Sequence, residues 1–341
     1  MFNYHWKMSE YPTEKIDIKV FGTFICAGGS TMGYKLNGFN HLGGVEIDTK
    51  ISKVYEKNHK PKFLYTDDIR SLFNYDLPKE LYDLDILDGS PPCSSFSTVG
   101  NREKDWGKKK VFVEGQTKQV LDDLFFEYLN VIDKLRPKIF IAENVKGLIF
   151  GNAKKYVFEI MNYAKKIGYE CQIFLLDSSL MGVPQKRERV FVVGKRIDLN
   201  LKTLKIKTNQ KPILYGEIKD YENDYKLKKF TELKQSIWEN RDIKDTSFSQ
   251  ACERMFGKES NWSVKYVKNN KVMPTIVSGG EFVEYSNDNF VPLHKLIQAQ
   301  SFPIDFDFGT ELYNKIQFML GMSVPPLMMA NLSKQIYEQL F

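Results

Sequence analysis

Short apolar runs alternate with helically spaced segments along the first two hundred positions of the chain. Runs rich in β-branched and aromatic residues lie at 17–25, 43–47, 62–65, 84–87, 138–142, 171–176 and 189–193. Each is short enough for a strand and most are bounded by turn residues. Between them, Asp48 is placed to cap a helix, and Tyr34-Lys35-Leu36-Asn37 reads as helical. Val120, Leu121, Leu124, Phe125, Tyr128, Leu129, Ile132 and Leu135 form one helical stripe that Pro137 ends. A further helix is expected over 153–167. Strands that alternate with helices predict an α/β fold with a mixed, mostly parallel sheet. The short connector between 171–176 and 189–193 predicts that these two strands are antiparallel neighbours.

The pattern changes near residue 200. Residues 201–229 are dense in lysine and weakly periodic, and 230–290 mix Trp, Tyr, Phe, Lys, Asn and Gly with short strand-like pieces such as 262–267. The aromatic content predicts a smaller, irregular second domain with its own core. A turn at Gly321-Met322-Ser323-Val324-Pro325-Pro326 opens a closing helix through Phe341. The expected division is an N-terminal extension (1–16), a sheet domain (17–205), a second domain (206–290), and a hinge with a C-terminal helix returning to the sheet domain (291–341).

Composition adds bounds. The chain has 341 residues, a net charge of +6 and four cysteines (Cys26, Cys93, Cys171, Cys252). The cysteines are scattered, without zinc-ligand or disulfide-framework spacing, so no metal site is expected and a reduced, cytoplasmic setting fits. No signal-peptide pattern and no membrane-length apolar run are present. The mild positive charge permits a polyanionic partner without demanding one.

Candidate chemistry gathers where strands end. The first strand runs into Phe24-Ile25-Cys26-Ala27-Gly28-Gly29, a glycine turn of the kind that admits a ligand close to the backbone. Glu46 ends the second strand about where such folds hold ribose hydroxyls, or it is a solvated strand-end carboxylate. Asp68 could accept from an adenine amino group or cap a turn. The fourth strand delivers Pro91-Pro92-Cys93, a cysteine presented stiffly by two prolines. Residues 98–118, polar and basic around Trp106, suit a lid near phosphates. Glu143 closes the fifth strand, on the sheet edge that carries Cys93. Arg187 and Arg189 alternate along an extended segment, so they point to opposite faces.

These pieces occur in the order found in the DNA cytosine-5 methyltransferase family, which the chain resembles over roughly 17–200 and 290–341. The glycine turn resembles that family's F-x-G-x-G-G motif. Pro92-Cys93 resembles its nucleophile motif, Glu143-Asn144-Val145 its Glu-Asn-Val motif, and Gln185, Arg187 and Arg189 its Gln-x-Arg-x-Arg motif. The resemblance implies a Rossmann-like domain that binds S-adenosylmethionine through Phe24, Ala27, Gly28, Gly29, Glu46, Ile47, Asp68, Ile69, Pro91 and Ser323. It implies Cys93, Glu143, Arg187 and Arg189 as the catalytic set, with Arg189 the arginine that acts on the base. The variable middle is where the family keeps its target recognition domain. Ser95, Gln185, Thr275 and Ile276 are implied contacts to double-stranded DNA. A monomer is expected, and a cognate restriction endonuclease is a plausible functional partner that no residue proves. Four positions depart from the family pattern: Cys26 for a glycine, Ser94 for a glutamine, Met322 for an asparagine, and Lys295 for a glutamate in the hinge motif.

The implied chemistry needs these residue types. Cytosine carbon 5 is a poor nucleophile until a thiolate adds at carbon 6, which is covalent catalysis. The charge that addition builds on the ring calls for an acid at ring nitrogen 3. A base within a duplex must flip out to expose both faces. Three rivals stay open here. One is a transfer-RNA cytosine-5 methyltransferase of the same fold, whose Cys-Phe-Thr signature is missing because Glu253-Arg254 follow Cys252. Another is a non-catalytic nucleic-acid-binding protein, and the third is a nicotinamide dehydrogenase.

Overall fold

The computed structural model describes residues 2–92, 124–151, 153–221, 223, 225, 228–257 and 263–341. Cys93, Ser94, Ser95, the 98–118 segment with Trp106, the first four positions of the expected 120–135 helix, and Trp262 lie outside the described residues.

Two units divide the chain. The sheet unit comprises residues 11–177, 188–208 and 329–341. It contains β1 (Ile16–Thr23), α1 (Gly29–Leu36), β2 (Phe39–Val45), α2 (Thr49–His59), β3 (Phe63–Tyr65), β4 (Ile86–Gly89), α3 (Leu124–Leu135), β5 (Ile139–Val145), α4 (Ala153–Lys166), β6 (Tyr169–Asp177) and β7 (Glu188–Arg196). The strands form one seven-stranded sheet in the order β3-β2-β1-β4-β5-β7-β6. Among the described strands of this sheet only β7 runs against the rest: it is antiparallel to both β5 and β6, and the remaining neighbours are parallel. The expected antiparallel pair is therefore β6–β7, and the fold is the α/β, mostly parallel one read from the pattern.

Crossover helices place the C-terminal ends of β1, β2, β4 and β5 along one edge, and in such sheets that edge is the ligand-binding one. β1 and β4 are central, buried on both faces, and read as near-continuous apolar runs. The stripe on α3 is core: Leu124, Tyr128, Leu129, Ile132 and Leu135 pack with Phe21, Leu87 and Phe140. Tyr128 adds a polar pin, its hydroxyl donating to the carbonyls of Leu87 on β4 (2.8 Å) and Ile141 on β5 (3.0 Å). Gly194 on β7 has its reason in packing, since a Cβ there would sit 1.9 Å from the ring of Phe140.

The second unit comprises residues 1–10, 178–187 and 209–328. It carries α5 (Glu232–Glu239), α6 (Phe248–Phe256), a two-stranded parallel sheet of β8 (Val264–Val267) and β9 (Glu281–Glu284), α7 (Leu293–Ala299) and α8 (Tyr313–Met322). Its small core includes Ile237, Phe248, Ala251, Val264, Tyr266, Val283 and Phe290. The closing helix α9 (Pro326–Leu340) belongs to the sheet unit from Met329 onward.

These units differ from the boundaries expected from composition. Residues 178–187 fall in the second unit because Gln185 bridges to Met273 and the Lys186 N–H donates to the carbonyl of Met273 (2.9 Å). The first ten residues are not a loose extension. The Trp6 indole donates to the carbonyl of Ser301 (2.9 Å), and the Met8 backbone donates to Asp305. The stretch 291–328 also joins this unit, since Gln317 on α8 donates to the carbonyl of Gly280 (2.8 Å). None of these tertiary bonds has a signature in local periodicity.

Candidate active site

The turn after β1 is folded against ordinary backbone preference. Phe24 (φ 54°), Cys26 (φ 48°) and Gly28 (φ 87°) all lie in the left-handed region. Only Gly28 adopts that geometry without steric cost, and the other two cost about 1 kcal/mol or more each. At Cys26 this explains the expected glycine: the backbone demands one and the chain supplies a thiol-bearing residue instead. At Gly28 space is also exhausted, because a Cβ would lie 2.1 Å from Nε2 of His59.

Glu46 tethers this turn. Its Oε2 accepts from the Cys26 N–H (2.8 Å) and its Oε1 from the Asp48 N–H (2.9 Å). Burial raises the Glu46 carboxyl above its ordinary value, and the backbone donors of Asp48 and Cys26 oppose the rise. The first turn of α1 carries no side-chain cap. A bare helix start, a glycine approach and a buried carboxylate at adjacent strand ends make a cradle suited to a ligand with hydroxyl donors. Ile47 is half-buried beside Glu46, and Ala27 and Gly29 are buried in the turn. Phe24 packs against the edge of the core. Asp68 is placed otherwise: it caps the short helix that follows and pairs with Arg70 (2.9 Å). Ile69 is buried in the core.

On β5, Glu143 is 8% exposed and forms an ion pair with Arg189 on β7 (Oε1 to Nε, 3.0 Å). The register pairs Glu143 with Phe191, so Arg189 reaches it diagonally across the antiparallel ladder. Burial lowers the Arg189 pKa and Glu143 opposes that fall, so the guanidinium stays charged. Next along β5, Asn144 donates to the carbonyl of Pro91 (3.1 Å) and ties the strand end to the Pro-Pro turn. Sequence reasoning gave Asn144 no task; a buried amide within a Glu-Asn-Val strand end was the available signal.

A second carboxylate, also given no task, lies on the neighbouring strand. Asp88 on β4 is 4% exposed. Its Oδ1 accepts from the Tyr34 hydroxyl on α1 (3.1 Å), and Ser30 donates to it as well. Asp88 is in register with Ile141 on β5, so it shares a face with Glu143. Burial pushes its carboxyl up to about 7; the Tyr34 and Ser30 hydrogen bonds oppose the rise and Glu143 adds to it. The sequence signal was a charge at the end of an otherwise apolar central strand.

The remaining candidates meet within the second unit. Gln185 is fully buried: its Oε1 accepts from the Ile276 N–H (2.8 Å), while its amide donates to Gln300 and to the carbonyl of Ala299. Arg187, 3% exposed, donates to the carbonyls of Ile276 (3.0 Å) and Gly321 (2.9 Å). The Thr275 hydroxyl donates to the carbonyl of Lys186 (2.7 Å). Gln300 donates to the carbonyl of Ser323 (2.6 Å), whose hydroxyl in turn donates to Met319. Here Gln185, Arg187 and Ser323 brace backbone. Arg189 and Arg187 thus have separate surroundings, one on a carboxylate and the other on carbonyls. Met322 is 44% exposed, and Lys295, the charge-reversed hinge position, pairs with Asp220 (3.4 Å). No cluster of metal-ligating side chains occurs among the described residues. No helix among them is long and apolar enough to cross a membrane.

Comparison with known proteins extends the picture. The profile of the C-5 cytosine-specific DNA methylase family matches residues 18–338. The type II methyltransferase M.FnuDI of Fusobacterium nucleatum is 34% identical over 225 residues, 66% of this chain and 56% of its own. M.Bsp6I of Bacillus sp. (strain RFL6) is 28% identical over 95% of this chain and 99% of its own. The chain spans about half the length of the first curated relatives it matches (56%, 41% and 52%). Among solved structures, a DNA modification methyltransferase encoded within an E. coli prophage superposes with a TM-score of 0.72 at 16% identity, covering 95% of this chain and 99% of its own. Spodoptera frugiperda DNMT2 gives a TM-score of 0.65 at 16% identity, covering 94% and 100%. At these identities the structures speak for the fold.

Proposed function

The chain belongs to the C-5 cytosine-specific DNA methylase family, and we propose that it methylates carbon 5 of a flipped-out cytosine in a short duplex DNA sequence, using S-adenosylmethionine and a covalent adduct on Cys93. The observation that carries this reading is the buried Glu143–Arg189 pair at the sheet edge where β4 leads into Pro91-Pro92-Cys93.

The cradle after β1 fits S-adenosylmethionine. Glu46 already holds one backbone N–H on each oxygen and keeps accepting capacity for ribose hydroxyls. Gly28 and Gly29 put no side chain at the start of α1, where Gly28 takes a left-handed turn (φ 87°) against His59. When bound, the cofactor supplies an electrophilic methyl group. Everything else falls to side chains. Cys93 adds to ring carbon 6 as the thiolate, with the positive charge of the site lowering its pKa. Glu143 holds a proton at ring nitrogen 3, with Arg189 fixing Oε1 so that Oε2 meets the ring. Asn144 ties the end of β5 to the Pro-Pro turn that precedes Cys93 in the sequence. Loss of the carbon 5 proton and release of Cys93 end the cycle. Ser95 and the 275–276 segment contact the duplex in this reading. The functional partner is a restriction endonuclease of matching specificity, and the enzyme acts as a monomer.

The test is methyl transfer. The full chain is incubated with tritiated S-adenosylmethionine and either genomic DNA or total transfer RNA, and the methylated product is sequenced after bisulfite treatment. Label in DNA, confined to cytosine in one short sequence, is the expected result. Label in RNA alone overturns the DNA assignment, and label in neither overturns the activity.

A further inference from the structure

A cavity of about 490 Å³ opens elsewhere in the sheet unit, at the N-terminal edge of β1 and β2. This is the edge opposite Thr23, Val45 and Gly89. All of its lining residues lie between Tyr11 and Glu80, so the site is complete within one unit. Five lysines surround it: Lys15, Lys19, Lys35, Lys60 and Lys62.

Two of these charges are answered. Lys19 pairs with Asp83 (2.5 Å) and Lys62 pairs with Glu80. Lys15, Lys35 and Lys60 have no carboxylate within ion-pair distance among the described residues. The Lys35 ammonium instead donates to the carbonyl of His59 (2.8 Å). Burial, with Lys15 adding, brings its pKa down to about 8. His41 and His59 line the same cavity, and both are held neutral at physiological pH by burial, with Lys35 adding to the effect. Nδ1 of His41 is buried with no hydrogen-bond partner among the described residues. Several basic groups thus suppress one another's charge around an open space, an arrangement that costs free energy unless an anion fills it.

The size and the walls narrow the anion. A bare phosphate needs far less than this volume, which lies in the range of sites for small organic ligands. Tyr11 and Pro12 give one flank a ring-sized apolar surface. We propose that the cavity binds a nucleoside polyphosphate, with Lys15, Lys35 and Lys60 on the phosphates and the base against Tyr11 and Pro12. The site is independent of methyl transfer, and its test uses no DNA methylation readout.

Isothermal titration of the full chain with ATP and with inorganic tripolyphosphate, at pH 7 and pH 9, decides the matter. One ATP per chain is expected, bound at least fivefold more tightly than tripolyphosphate. Affinity for ATP falls by up to about tenfold from pH 7 to pH 9, because Lys35, with its pKa brought down to about 8, loses its proton across that range. Lys35→Met removes most of that pH dependence and weakens binding at pH 7 at least tenfold. The surface pair Lys15→Glu with Lys60→Glu, which leaves the interior intact, weakens it similarly. Circular dichroism confirms that each variant is folded. Unchanged affinity in the double variant, tighter binding at pH 9, or equal affinity for tripolyphosphate overturns the assignment. So does a twelve-base-pair duplex that displaces ATP, which would make the lysines a nucleic-acid surface.

Discussion

Asp88→Asn is predicted to stabilise the sheet unit at alkaline pH and not at acid pH. Asp88 is buried on a central strand, where the hydroxyls of Tyr34 and Ser30 donate to it and no cation lies within ion-pair distance among the described residues. Its folded pKa is raised to about 7 from 3.8. Between those values the folded state holds a proton that the unfolded chain has released, so stability falls as pH rises through the window. Above pH 7 the full cost applies, about 4 kcal/mol at 1.36 kcal/mol per pKa unit. Asparagine keeps the shape and the acceptor oxygen but carries no charge. Its amide needs a partner that the carboxyl did not, which costs about 1–3 kcal/mol at every pH. The pH-dependent difference is therefore the diagnostic quantity. Thermal unfolding followed by circular dichroism at pH 5.0 and 8.5 measures it. Relative to wild type, Asp88→Asn gains about 2–4 kcal/mol between the two pH values, or about 5–10 °C in Tm. Wild-type and variant curves that stay parallel across this range would refute the reasoning.

Four further outcomes follow from particular contacts. Glu143→Gln lowers methyl transfer about 10²–10⁴-fold while leaving cofactor affinity within a few-fold, as measured by single-turnover kinetics and titration. Gly28→Ala destabilises by more than about 2 kcal/mol in urea unfolding, since both its φ of 87° and the 2.1 Å approach to His59 forbid a methyl group. Cys26→Gly, relieving a left-handed residue at φ 48°, gains about 0.5–1 kcal/mol in the same assay. His59, lowered to about 3, is neutral in the fold, so its contribution is present above pH 6.5 and is lost as pH falls below that; His59→Gln flattens the acid limb of a stability-versus-pH curve.

The sheet was legible because its central strands, β1, β4, β5 and β7, are largely buried and read as apolar runs. The order of glycine turn, Glu46, Pro-Pro turn and Glu143 followed from strand ends alone. Periodicity did not reveal the membership of the second unit. Residues 1–10 and 178–187 join it through tertiary bonds, such as Trp6 to Ser301 and Gln185 to Ile276, made across long sequence separations. Alternation separated Arg187 from Arg189 but did not give their partners. Those depend on which strand lies beside β7, a fact of topology. Asp88 escaped notice because local pattern treats a strand-end acid as solvated, whereas its neighbours β1 and β5 bury it.

The central claim is tested most directly by trapping. A duplex that carries the chain's target sequence with 5-fluorocytosine at the methylated position cannot lose a proton from carbon 5, so the covalent adduct persists. With S-adenosylmethionine present, the account predicts a denaturation-resistant complex of one chain per duplex. Peptide mass spectrometry then maps the cross-link to Cys93, and Cys93→Ser abolishes it. Methyl transfer to DNA without a trapped complex, or a complex through any other residue, contradicts the account.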